Sequence, residues 1–193
     1  MSAFLSWFAF GLALVCGVAL FLSRNWRWIL GFLAGQYLAL FLLVQITLPL
    51  SSAAAKLVTG WMACTILAIA QMNSGQVEKS ETNWPQGQWF RVLTSGIVLL
   101  VTLALAQRSL DLLGISLPAA WTGFFLIGIG LLHLGVTGQP FRVVLGLLTI
   151  LTGFEIVYAG VENSALVTAF LVVINLGLAM AGSYFLTPLE DGE

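Results

Sequence analysis

Seven apolar stretches, each long enough to cross a bilayer, take up nearly the whole chain, and only one connection between them is substantially polar. They run at approximately 3–23, 26–48, 52–72, 90–108, 117–137, 141–161 and 164–186, each near the ~20 residues that a helix rising ~1.5 Å per residue needs to span the hydrocarbon. Backbone N–H and C=O groups in lipid must be satisfied inside a helix or a closed barrel, and the short alternating strands of a barrel are missing. The expected fold is all-α: an integral membrane helical bundle of about seven transmembrane helices. With 60% hydrophobic and only 8% charged residues, the chain has too little polar surface to cover a water-soluble globule.

Lys and Arg near span ends are retained on the cytoplasmic side. Arg24, Arg27, Lys79, Arg91 and Arg142 fall on one side of a seven-span chain, with Lys56 and Arg108 nearer the other. That bias predicts an N-terminus outside and a cytoplasmic C-terminal Glu190-Asp191-Gly192-Glu193. The first span has no basic residue ahead of it and no A-x-A-like site behind it, so it reads as a helix of the mature chain rather than a signal peptide. The links Arg24-Asn25, Gly138-Gln139-Pro140 and Glu162-Asn163 are short enough to force antiparallel hairpins. Residues 73–89, rich in turn formers and charge, read as a polar cytoplasmic loop between a three-helix segment, residues 1–72, and a four-helix segment, residues 90–193. These unequal halves display no internal repeat. Trp7, Trp26, Trp28, Trp84, Trp89 and Trp121 lie near span ends or in the loop, as interfacial anchors do. Gly31-Phe32-Leu33-Ala34-Gly35 and the glycines of the fifth span offer close helix contacts.

Any chemistry must come from the few polar atoms inside the spans. Glu155 lies well within the sixth span, where a carboxylate is costly; such an acid either exchanges protons or is held by a partner on another helix. Lys56 lies about a turn inside the third span, at similar depth under the expected topology, and either pairs with Glu155 or snorkels to the outer interface. His133, the single histidine, sits toward the cytoplasmic end of the fifth span. An imidazole can pass protons near neutrality, or serve as a hydrogen-bonded packing residue. Glu155, Lys56 and His133 are therefore the proton-transfer candidates, with Thr152, Tyr158 and Asn175 as polar contacts between helices and Gln36, Gln45 and Thr149 as further extensions of a wetted path. Cys16 and Cys64 read as small buried hydrophobes.

Several chemistries drop out. The chain has no G-x-x-x-x-G-K-[ST], H-E-x-x-H, paired CxxC or G-x-S-x-G motif, and one histidine rules out bis-histidine haem ligation within it. No catalytic residues, cofactor or metal are expected. A net charge of -1 with seven scattered basic residues provides no nucleic-acid-binding face.

From about Trp121 onward, Arg142-Val143-Val144-Leu145-Gly146-Leu147-Leu148 with Thr152-Gly153-Phe154-Glu155-Ile156-Val157-Tyr158-Ala159 resembles a family's middle helix, and Asn175-Leu176-Gly177-Leu178-Ala179-Met180 its last. That family is the small three-helix K-type subunit of respiratory complex I, with the C subunit of multisubunit cation/proton antiporters and component E of energy-converting hydrogenases. The extra N-terminal spans make the chain most similar in size to the hydrogenase component. The resemblance implies a place between antiporter-like membrane subunits and a hydrophilic redox arm, and membrane-embedded glutamates that couple charge movement to proton or ion transfer. The family's glutamates align near Leu148 or Leu151 and near Val173, so Glu155 stands one to two turns further along its span. The expected function is that of a non-catalytic membrane subunit of a proton- or cation-translocating redox or antiporter complex, in a prokaryotic plasma membrane. Its expected partners are other integral membrane subunits of antiporter-like type and the lipid bilayer. The alternatives are a purely structural subunit and a stand-alone small-solute transporter, the latter favoured by pseudo-symmetric halves.

Overall fold

The computed structural model describes residues 2–74, 88–162 and 164–186; most of the polar loop, with Lys79 and Trp84, and Asn163 and Glu190 to Glu193 lie outside them. The chain forms α1 (Ser2–Leu22), α2 (Trp26–Val44), α3 (Leu50–Asn73), α4 (Gln88–Leu113), α5 (Leu117–Val136), α6 (Pro140–Val161) and α7 (Ala165–Leu186). All seven are long and apolar enough to span a membrane, and the chain is a multi-pass integral membrane protein. Two bounds differ from the sequence expectation. α2 stops at Val44, whose carbonyl accepts from Thr47 and Leu48 at 3.0 and 2.8 Å in a turn, and Pro49, which has no N–H to donate, precedes the first residue of α3. α4 runs five residues past Arg108 to Leu113, and a helix of about 39 Å is longer than the ~30 Å hydrocarbon needs. It ends at Gly114, whose φ of 63° needs no Cβ relief.

Antiparallel succession places the starts of α1, α3, α5 and α7 at one end of the bundle, end A, and their C-termini at end B. The helices form two rows. α2 packs between α1 and α3, α6 packs between α5 and α7, and the rows face each other as α1 on α5, α2 on α6 and α3 on α7. α4 lies outside, against α5 and the edge of α1. Its outward face of Leu93, Leu100 and Val101, like Phe170 and Val173 on α7, is exposed and meets lipid.

The rows are successive units of the chain. α5, α6 and α7 start at Leu117, Pro140 and Ala165, which is 115, 114 and 115 residues after the starts of α1, α2 and α3 at Ser2, Trp26 and Leu50. The same spacing aligns Arg27, Leu30, Gly31 and Leu33 of α2 with Arg142, Leu145, Gly146 and Leu148 of α6. A unit with an odd number of spans ends on the side opposite to its start, so a second unit of equal orientation needs one span to bring the chain back, and α4 is that span. The rows thus hold α1 to α3 and α5 to α7, with α4 between them in sequence.

Glycine sets the closest helix contact. A Cβ on Gly130 would lie 2.9 Å from the Gly146 carbonyl oxygen, and one on Gly153 would lie 2.6 Å from that of Gly123, so α5 and α6 touch backbone to backbone at two levels. Gly17 of α1 seats Phe125 of α5, and Gly182 of α7 seats Val144 and Leu67, which closes the rows on each other. In the GxxxG of α2 only Gly35 is used, against Cys16; Gly31 faces open space.

Candidate functional site

Lys56 stands six residues inside α3 from Leu50, and Glu155 stands six residues before the end of α6 at Val161. Helix rise puts both about 9 Å from end A. Their side chains meet: Lys56 Nζ donates to Glu155 Oε2 at 2.8 Å, with the two residues 2% and 1% exposed. Lys56 therefore does not snorkel. Its four-carbon stem reaches inward from the first unit to the second, between helices that sit diagonally in the two rows. Either charge alone at this depth would be costly, and the short charge-assisted bond is what allows both to stay.

A second bond crosses between the units a turn deeper. The Tyr37 hydroxyl of α2 donates to Asn175 Oδ1 of α7 at 2.8 Å, and Tyr37 is fully buried. Its ring lies on Gly60 of α3, where any Cβ would overlap it. Thr152 donates to the Leu148 carbonyl of its own helix at 2.8 Å and flanks the Tyr37 hydroxyl, and Glu155 is close enough to act on Tyr37 electrostatically. Thr149 donates to Leu145 in the same way, at 2.8 Å. Asn175 thus makes the contact between helices for which its position marks it, while Thr152 borders it. Next to Tyr37, Gln36 is fully buried, and neither its Oε1 nor its Nε2 has a hydrogen-bond partner.

The remaining sequence candidates lie elsewhere. His133 is buried three residues from the end of α5, with its ring edge-on to Phe21 at 5.7 Å. Along the bundle axis it is about 18 Å from Glu155, so it shares no hydrogen bond with the pair. Its electrostatic neighbours are Arg142 and Arg91. These arginines, each 6% exposed, reach the carboxyl end of α1: Arg91 donates to the Phe21 carbonyl and Arg142 to that of Ser23, each at 3.4 Å. Positive charge at the C-terminus of a helix is favourable to its dipole, which explains why two guanidinium groups are drawn under the surface there. Tyr158 stacks on Phe154 at 6.0 Å and neighbours Glu162 and Ser164 at the α6–α7 turn, outside the polar layer.

A pocket of about 110 Å³ opens at end A among Leu43, Thr47, Ser116, Ile156 and Ala159, and Ile156 adjoins Glu155 in sequence. Among the described residues, no three His, Cys, Asp or Glu side chains converge as metal ligands. Sequence reasoning missed Tyr37, which looks like one more large residue of an apolar span; the paired glycine that receives its ring, 23 positions on, was the available signal. Compared with family models, with curated proteins and with solved structures, the chain matches none.

Proposed function

We propose that this multi-pass membrane protein is a subunit of a proton- or cation-translocating complex in a prokaryotic plasma membrane, in which Lys56 and Glu155 form a proton-exchanging pair. The observation that carries this reading is the 2.8 Å contact of two charged side chains, each at most 2% exposed, between the two three-helix units. For packing alone a buried ion pair is a poor choice, since apolar residues of similar volume serve as well or better. It becomes useful where a charge arriving nearby must shift a proton, because the ammonium–carboxylate and amine–acid states differ in dipole and respond to an external field. The resemblance of α5 to α7 to the K-type subunit family fits such a role, with antiporter-like membrane subunits as partners. Purification of the tagged protein from its native membrane in gentle detergent, followed by identification of co-purifying chains, tests the reading. Antiporter-like or redox subunits in stoichiometric amount support it, and recovery of a monodisperse chain alone overturns it.

A second reading is favoured by where the buried polar bonds lie. Both the Lys56–Glu155 and Tyr37–Asn175 bonds join one unit to the other, as expected of a stand-alone transporter whose units rock about a central site. Solute uptake by the purified chain in proteoliposomes would establish it; an inert chain that regains activity only with its partners would exclude it.

A further inference from the structure

Gln36 contributes an oxygen with two lone pairs and two N–H donors, all buried, at a level where no lipid or bulk water reaches. Unmet amide atoms in such a place are costly, and a side chain with four unused bonding positions points to a small polar ligand rather than to packing. Two hydroxyls at a similar level of the facing helix present matching chemistry: Thr149 and Thr152 stand 9 and 12 residues into α6, and Gln36 stands 10 residues into α2. Thr149 and Thr152, on the helix that faces α2, spend their protons on the Leu145 and Leu148 carbonyls and keep oxygen lone pairs free. Thr152 in addition flanks the Tyr37 hydroxyl, one residue from Gln36. An amide that donates and accepts, beside hydroxyl oxygens that accept, is a coordination set for a water molecule, which needs two to four polar partners, and carries no fixed charge that would recruit an ion.

We infer that Gln36 anchors buried water at the interface between the two units, on the inner side of the Tyr37–Asn175 bond. Resting on the proton-exchange reading, this water extends the polar layer of Glu155, Tyr37 and Thr152 from its depth near end A toward the middle of the membrane. It leaves the apolar residues Leu145 and Leu148 as the barrier toward Arg142 and end B.

X-ray hydroxyl-radical footprinting of the full chain in lipid nanodiscs tests the water itself, because radicals formed from bound water label adjacent side chains that bulk solvent cannot reach. Leu33 and Leu40 flank Gln36 on the same face of α2, and Leu67, equally buried between α3 and α7, is a control of the same residue type. The expected result is labelling of Leu33 and Leu40 several-fold above Leu67, falling to the Leu67 level in Gln36→Leu. Labelling of Leu33 and Leu40 equal to Leu67 in the wild type overturns the inference, as does labelling unchanged in Gln36→Leu. The wild-type comparison decides alone if that variant does not fold. No proton flux enters the readout, so a failure of the translocation reading leaves this result standing, and a dry Gln36 removes the water without touching that reading.

Discussion

Replacing Lys56 with Met leaves the Glu155 carboxyl in a site 1% exposed with no cation, and replacing Glu155 with Met leaves the Lys56 ammonium in a site 2% exposed with no acceptor. Breaking a buried pair from one side costs about 3–5 kcal/mol, less whatever the orphan recovers by gaining or losing a proton. Insertion of a lone charge at the centre of a membrane helix, at about 2.5–3.5 kcal/mol, sets a similar scale. The double variant Lys56→Met with Glu155→Met removes both charges and keeps two side chains of comparable length, so it is expected within about 1 kcal/mol of the wild type or above it. The coupling between the two positions is then at least about 3 kcal/mol, a factor of more than 100 in the unfolding equilibrium at ~1.4 kcal/mol per decade. Unfolding of the purified chain by increasing SDS fraction in mixed micelles at neutral pH gives all four stabilities. Single variants that each cost under about 1 kcal/mol, with a double variant equal to their sum, would refute a buried pair held across the units.

Three further outcomes follow from the same geometry. Gly153→Val should lower stability by about 1–3 kcal/mol through the Gly123 backbone contact, whereas Gly135→Ala, with nothing within 4 Å of its new Cβ, should be neutral or slightly stabilising in the same unfolding assay. Tyr37→Phe removes the 2.8 Å bond to Asn175 and should cost about 0.6 kcal/mol, the average for hydrogen bonds between membrane helices, and no more than about 1.7 kcal/mol; a stabilised variant in the SDS assay would contradict the bond. With Arg24, Arg27, Arg91 and Arg142 at end B, that end should be cytoplasmic. In a background without Cys16 and Cys64, a cysteine at Ser116 should react with a membrane-impermeant maleimide on intact cells and one at Gly138 only after permeabilisation, and the opposite pattern would invert the topology.

Sequence made the spans readable because lipid tolerates only one backbone solution, and it made Glu155 and Lys56 stand out because charges inside spans are rare. Counting residues from the helix ends even placed the two at equal depth. Whether they meet depended on which helices are neighbours, and apolar spans selected for the same solvent carry almost no record of that. Arg108 suggested an early end to α4, since a charge in a span reads as the point where the helix leaves the membrane, whereas the helix runs on to Leu113. His133 was visible as a rare side chain, yet its position near end B sets it among arginines rather than beside Glu155. Gln36 was legible as a polar residue in a span, but its lack of partners became visible only with the packing around it.

Proton translocation by vesicles of the native membrane, followed by quenching of a ΔpH-sensitive dye, tests the Lys56–Glu155 pair most directly when wild type and Glu155→Gln are compared at equal amounts of assembled chain. The amide keeps an acceptor for Lys56 and cannot exchange a proton. A proton-exchanging pair predicts loss of most translocation with assembly intact; translocation at the wild-type rate in the assembled Glu155→Gln protein would contradict it.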